Sequence, residues 1–201
     1  MIVVGVTGNL ASGKSAAAQS FKELGARVVD ADLLARKLTK KGTVLYKAIL
    51  KIFGKDFAAR GGELDRRKLA WHVFSHPEDL RKLNVLIHPG VIFEAYKVLE
   101  AERDKKDRMV VLDVPLLFES HMERMADFTV VVRSSRTAMM RRAAKRGVPP
   151  ALARKILASQ WPSAKKARLA NYVIDNDGTV AGRRAKVKKV YADILRDAKK
   201  R

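Results

Sequence analysis

The sequence predicts a three-layer α/β fold: a mostly parallel central sheet with helices on both faces, a helical lobe and a lid. Three observations predict it. Short apolar runs alternate with stretches of helical periodicity, the pattern of strand–helix–strand units. Several runs, such as Met109-Val110-Val111-Leu112, are continuously apolar, as strands buried on both faces are. One interval, Gly42 to Lys106, carries only helical patterns and so reads as a lobe beside the sheet.

The elements follow in order. Ile2-Val3-Val4-Gly5-Val6 is the first strand, and Ala16 to Phe21 opens the first helix with good helix formers. Arg27-Val28-Val29-Asp30-Ala31-Asp32 reads as a second buried strand ending in two acids, followed by a helix over Leu33 to Leu38. Gly42 to Phe53 is helical, with Val44, Leu45, Ala48, Ile49 and Ile52 on one side, and Gly54 stops it. Arg60-Gly61-Gly62 is a turn, and Asp65 N-caps a helix through Phe74. Ser75-His76-Pro77 starts another helix with Leu80, Leu83, Leu86 and Ile87 on its apolar face. Pro89 breaks that pattern, His88 caps the kink, and Val91 to Lys105 forms a separate amphipathic helix. Met109 to Asp113 and Phe128 to Val132 are strands, Ser135 to Arg146 is a helix, and Pro149-Pro150 start another to about Gln160. Tyr172-Val173-Ile174 is the last strand, and a basic helix runs from about Val180. A single domain over 1–201 is expected, with a sheet core from about 1–41, 107–135 and 168–201 and a helical lobe at about 42–106.

Composition narrows the class. With 201 residues and 47% hydrophobic content the chain can bury a full core. Cysteine is absent, so disulfides and thiolate-ligated metals are excluded. No signal peptide and no membrane-length apolar run is read, so the expected location is cytoplasmic. The net charge of +21 admits nucleic acid, an anionic membrane, a polyanionic small substrate or a solvated basic surface. The last is preferred for most of the charge. No aromatic-interleaved basic platform is present, and neither nucleic acid nor membrane is expected as a partner.

The chemistry concentrates where strands end. Gly8-Asn9-Leu10-Ala11-Ser12-Gly13-Lys14-Ser15 matches G-x-x-x-x-G-K-S between a strand and a helix, the setting of a phosphate-binding P-loop. Glycines let successive backbone N–H groups turn into one concavity, and the helix N-terminus adds positive potential there. The ATP-binding set is Gly8, Ala11, Ser12, Gly13, Lys14, Ser15 and Ala16; Lys14 reaches the β- and γ-phosphates and the Ser15 hydroxyl ligates Mg²⁺. Asp113, ending an apolar strand, fits the position that supports Mg²⁺ through water; an ordinary strand-end cap is the alternative. Asp30 and Asp32 share a face if the strand continues through both; Asp30 is then structural or Mg-linked and Asp32 the general base, with a helix cap as the alternative. Arg142 and Arg146, four apart on one helix, are positioned to clamp phosphates from a closing lid, or else form a solvated basic face. The four histidines show no metal-binding pattern, and Trp71 and Trp161 read as packing residues.

Together these residues resemble one family, the dephospho-CoA kinases, over nearly the whole chain. The resemblance is carried by VGVTGNLASGKS at Val4 to Ser15, VVDADLLAR at Val28 to Arg36, GELDRRKL at Gly62 to Leu69 and LNVLIHP at Leu83 to Pro89. VVLDVPLLFE at Val110 to Glu119, the Arg142/Arg146 pair, Gln160 and VIDNDG at Val173 to Gly178 complete it. It implies a P-loop kinase fold and ATP-dependent phosphorylation of the ribose 3′-hydroxyl of dephospho-CoA, with ATP as co-substrate and Mg²⁺ as cofactor. It implies that Asp32 is the base and Lys14 its catalytic partner, that the lobe binds CoA, that about 136–167 forms the lid, and that Thr7, Asp32, Arg66, His88 and Pro115 contact the acceptor. The chain departs from the family pattern at Asn9 and Ala11, where glycines are usual, at Ala16 for threonine and at Asn171 for aspartate. A kinase of another small metabolite uses the same loop and acids, and a nucleic-acid-stimulated ATPase is the alternative from another class.

Overall fold

The computed structural model describes residues 1–105 and 108–200. Lys106, where the expected lobe ends, Asp107, where the second sheet segment is set to begin, and the terminal Arg201 lie outside them. The chain forms two compact units, Met1–Asp30 with the chain from Tyr96 onward, and Ala31–Ala95.

The elements run β1 (Ile2–Thr7), α1 (Lys14–Glu23), β2 (Arg27–Asp30), α2 (Ala31–Leu38), α3 (Val44–Phe53), α4 (Arg66–Ser75) and α5 (Pro77–Glu102). They continue as β3 (Met109–Asp113), β4 (Phe128–Arg133), α6 (Arg136–Lys145), α7 (Pro150–Ser159), α8 (Ser163–Leu169), β5 (Tyr172–Asp175) and α9 (Val180–Ala198).

The first unit is built on a five-stranded sheet of order β2-β3-β1-β4-β5 in which every pair is parallel. All five expected strands are present. β3 is buried along its whole length, which accounts for its unbroken apolar sequence. On one face, Val4, Val6, Val111, Val130 and Val132 pack against Ala17, Ala18 and Phe21 of α1 and Val187, Val190 and Ile194 of α9. The spacing of the α9 trio gives one helical stripe, so a strongly basic helix still has an apolar side to bury. On the other face, a Cβ on Gly5 would come within 2.8 Å of Leu117 Cδ2, so the glycine admits that leucine against the sheet. Register aligns the carboxyl ends: Val6 and Asp30 are the Cα partners of Asp113 on either side. Asn171, preceding β5, accepts from Thr129 N at 2.8 Å and from Thr129 Oγ1 at 3.0 Å. An amide oxygen therefore ties the start of β5 to β4 at the position where a carboxylate is the family habit.

The second unit is helical, with one antiparallel bridge, Ala58 to Leu64, closing the Arg60-Gly61-Gly62 turn. The compact unit begins at Ala31, whereas the expected lobe begins at about 42, so α2 belongs to it. Its core joins Tyr46, Ile49, Phe57, Leu64, Leu69 and Val73, with Leu80, Leu83, Leu86 and Ile87 packed against them. Thr43 and Asp65 cap α3 and α4 by accepting from Tyr46 N and Lys68 N.

Three sequence expectations are corrected here. The strand through Asp32 ends at Asp30, and Asp32 lies in the first turn of α2. The run Ala31-Asp32-Leu33-Leu34-Ala35 consists largely of helix formers, and an acid in the first turn is favoured by the helix dipole. Helix α5 continues through Pro89, so His88 lies mid-helix and caps no kink. A proline costs a helix one hydrogen bond; Gly90 follows it, and a Cβ there would meet Leu38 Cδ1 at 3.2 Å, so the helix packs closely on Leu38 at this turn. In α3 the buried residues are Tyr46 and Ile49, while Val44 is 82% and Ile52 50% exposed, because the aromatic ring rather than the helix-end valine meets the core.

Candidate active site

The turn after β1 needs glycine twice. A Cβ on Gly8 would overlap Ser12 Oγ and the Val132 carbonyl, and one on Gly13, at φ 99°, would collide with the Asn176 amide. Ala11 takes the left-handed conformation as well, at φ 57°, although it carries a side chain. Its methyl is buried with Ala143 of α6 and Ala153 of α7.

Three donors converge on the Ser12 carbonyl: Asn176 Nδ2 at 2.7 Å, Ser134 Oγ at 3.0 Å and Arg142 Nη1 at 3.3 Å. Arg142 also donates to Ser134 Oγ at 2.8 Å and to the Asn176 carbonyl at 2.6 Å. The loop is thus held from behind by the segments after β4 and β5. Helix α1 then starts at Lys14, with no side-chain cap and no acid in its first turn. Its first N–H groups and the positive end of its dipole are left for an anion.

Lys14 is buried, and its Nζ pairs with the Asp113 carboxylate at the end of β3. Ser15 is exposed and Ala16 half-buried beside it. Among the described residues, Ser12 Oγ and Asn9 Oδ1, both in this loop, are buried without a hydrogen-bond partner, polar capacity that protein groups leave unused. The hydroxyl of Ser15 and the carboxylate of Asp113 are hard oxygen donors of the type Mg²⁺ takes, so the residues present fit that ion.

Further ties reach the segment between α7 and α8. Asn9 Nδ2 donates to the Trp161 carbonyl at 3.0 Å, Leu10 N to Gln160 Oε1 at 2.9 Å, and Trp161 N to Glu119 Oε1 at 3.0 Å. Lys166, with no exposed surface, donates to the Pro115 carbonyl at 3.0 Å and pairs with Glu119 at 2.8 Å. Burial pushes its ammonium pKa down and the Glu119 carboxylate works against that. Thr7 Oγ1 donates to the same Pro115 carbonyl at 3.0 Å.

Of the expected residues, Thr7, Gly8, Ala11, Ser12, Gly13, Lys14, Ser15, Ala16, Asp113, Pro115 and Arg142 therefore cluster at the carboxyl end of the first unit's sheet. Arg146 is exposed and C-caps α6. The Arg142 guanidinium is bonded to backbone, which makes it a brace for the loop. Asn9, in a glycine's place, gives the loop its bond to Trp161.

Asp32, Arg66 and His88 belong to the second unit. Asp32 is exposed on α2. Arg66 donates to the Arg36 carbonyl at 3.2 Å and to Thr39 Oγ1 at 3.0 Å, and lines a cavity of about 200 Å³ with Leu69, Phe74, Leu83 and Ile87. His88 is half-buried in α5, and burial pushes its pKa below the ordinary imidazole value, leaving it uncharged at neutral pH. Nothing in the sequence pattern marks Ser134, Asn176, Glu119 or Lys166 for a role of its own. Asn176 and Glu119 lie inside the VIDNDG and VPLLFE strings, but Lys166 is one of 42 basic residues with nothing in its spacing to single it out.

Comparison with known proteins agrees with this geometry. Residues 2–182 match the family model described as dephospho-CoA kinase. The dephospho-CoA kinase of Bacillus anthracis is 38% identical over 192 residues, 94% of this chain and 95% of its own. That of Aquifex aeolicus is 37% identical over 194 residues, 96% of this chain and 98% of its own. The solved dephospho-CoA kinase from Campylobacter jejuni superposes with a TM-score of 0.68 at 24% identity, covering 98% of each chain, a likeness of fold. With identities near two-fifths sustained over nearly the full length, the chain belongs to the dephospho-CoA kinase family.

Proposed function

We propose that this protein transfers the γ-phosphoryl group of ATP to the ribose 3′-hydroxyl of dephospho-CoA, giving coenzyme A and ADP, the final step of CoA biosynthesis, in the cytoplasm. The observation that carries the reading is Lys14, buried at the first position of an uncapped helix and paired with the acid that ends β3, in a chain of this family.

The chemistry asks little covalent work of the protein. The acceptor O3′ bonds to Pγ, the bond from Pγ to the bridging oxygen breaks, and ADP carries that oxygen away. The N–H groups from Gly8 to Ala16 hold the phosphates, and Lys14 exchanges the Asp113 carboxylate for phosphate oxygens as charge moves toward the β-phosphate. Mg²⁺, when bound, neutralises the β- and γ-phosphates, with Ser15 and Asp113 as the residues that hold it. Asp32 takes the proton of the 3′-hydroxyl; its exposed place in the first turn of α2 supports that choice over Asp30, which ends β2 in register with Asp113.

Residues 136–167 act as the lid, and Arg146 is the lid cation open to phosphate, with Arg142 behind the loop. Thr7 and Pro115 serve the acceptor on the P-loop side. Arg66 and His88 serve it in the helical unit, where an arginine on the rim of an apolar cavity suits a substrate that joins phosphate to an uncharged chain. A coupled assay of ADP release with dephospho-CoA, adenosine and AMP as acceptors tests the reading. Turnover with dephospho-CoA at least a hundred times that of the others is expected; equal use of adenosine or AMP overturns it in favour of a nucleoside or nucleotide kinase.

A further inference from the structure

The four histidines show no metal pattern in sequence, yet the fold gathers two of them with an acid. One ligand-capable atom from each of His72, His76 and Asp79 lies within 4.8 Å of the other two. We propose that this trio, at the corner between α4 and α5, is a binding site for a divalent transition-metal cation of the zinc class.

All three residues lie in the helical unit, and short-range structure sets them. His72 stands in the last turn of α4, His76 is its C-cap, and Asp79 follows in the first turn of α5 after Pro77. The ring of His76 lies 4.5 Å from that of His72. His76 Nδ1 is 2.8 Å from the His72 carbonyl. A carbonyl only accepts, so Nδ1 carries the proton and Nε2 keeps its lone pair, which is the orienting bond that metal-binding imidazoles use. His72 Nε2 stands 2.8 Å from Asp79 Oδ2, an arrangement in which a cation can replace the shared proton. The other oxygen, Oδ1, accepts from Lys82 at 2.9 Å, which fixes the carboxylate plane. Phe57 and Phe53 flank the His72 ring at 5.2 and 6.2 Å between centroids and limit its rotation.

Ligand atoms about 2.0–2.2 Å from a tetrahedral zinc are about 3.4 Å from one another. The trio therefore needs side-chain movement of little more than about an ångström to close. Two imidazoles and a carboxylate match zinc, cobalt and nickel and not Mg²⁺, which prefers oxygen alone. Three protein ligands leave one position for water. The cation would fasten the end of α4 to the start of α5.

The test is titration of the full-length protein with Zn²⁺ by calorimetry, with excess Mg²⁺ throughout, beside Co²⁺ absorption spectra and melting curves. One zinc per chain, a tetrahedral Co²⁺ spectrum and a raised Tm are expected. His76→Gln, an exposed position, should melt as the parent does without zinc and bind zinc more than about tenfold more weakly. Asp79→Asn should lose affinity similarly. Zinc affinity unchanged in both variants, or no saturable binding by the parent, overturns the proposal.

Discussion

Replacing Ala11 by glycine sets two structural effects against each other. The left-handed backbone, φ 57°, costs a residue with a Cβ about 1–2 kcal/mol, and glycine removes that cost. Glycine, however, loses more chain entropy on folding, about 0.5–1 kcal/mol relative to alanine. It also deletes the methyl of a residue that is 6% exposed and packed with Ala143 and Ala153, next to Leu10, Met140 and Val148. Burying one such group is worth about 0.8 kcal/mol. The two costs come to about 1.3–1.8 kcal/mol and nearly cancel the relief, so Ala11→Gly should lie within about 1 kcal/mol of the parent. For a chain of this size that is a Tm change of no more than about 4 °C, read by calorimetry and by urea midpoint. A gain well beyond that range would show that the methyl contributes nothing between the loop and helices α6 and α7. A loss well beyond it would show that the backbone at Ala11 is unstrained.

Arg142→Ala should lower stability by about 2 kcal/mol, since hydrogen bonds from a charged donor to the Ser12 and Asn176 carbonyls are lost. Arg146→Ala, at an exposed position, should melt within about 0.5 kcal/mol of the parent yet raise the KM for ATP; the reverse pattern in the two variants would return the phosphate-clamping role to Arg142. Glu119→Ala leaves Lys166 buried without its counter-charge and should cost about 3–5 kcal/mol in a urea titration; a parental midpoint would mean that the pair carries no weight. Asp32→Asn should lower the single-turnover rate by about 10²-fold, the low end for a lost general base, because phosphoryl transfer has a loose transition state. Its dissociation constant for dephospho-CoA should hold, and a normal rate beside a collapse in Asp30→Asn would exchange the roles of the two acids.

The sheet was legible because its signals are local. Met109 to Asp113 needs only to be apolar without interruption to read as a strand buried on both faces, and it is one. Gly8 and Gly13 announce the loop because their neighbours exclude a Cβ. What sequence concealed depends on contacts distant along the chain. Arg142 shares a helix face with Arg146, but its bonds to Ser12 and Asn176, 130 and 34 residues away, leave no mark in that spacing. Lys166 is indistinguishable from other lysines until it is found buried against Glu119 and Pro115. Asp32 reads as strand because Val28 and Val29 precede it, although the residues from Ala31 onward favour helix. Pro89 is the opposite case: a strong local breaker set inside a helix that continues through it. The His72, His76 and Asp79 trio spans a helix junction, which helical spacing does not describe.

The proposed reaction moves a phosphoryl group from ATP to the 3′-oxygen of dephospho-CoA by way of Lys14. The direct measurement incubates the protein with ATP, Mg²⁺ and dephospho-CoA and identifies the product by mass and by phosphorus NMR. One added phosphate is expected, on the ribose 3′-oxygen, formed stoichiometrically with ADP, and its near disappearance in a folded Lys14→Ala variant. Phosphate appearing at another position, or ADP released with no phosphorylated acceptor, would contradict it.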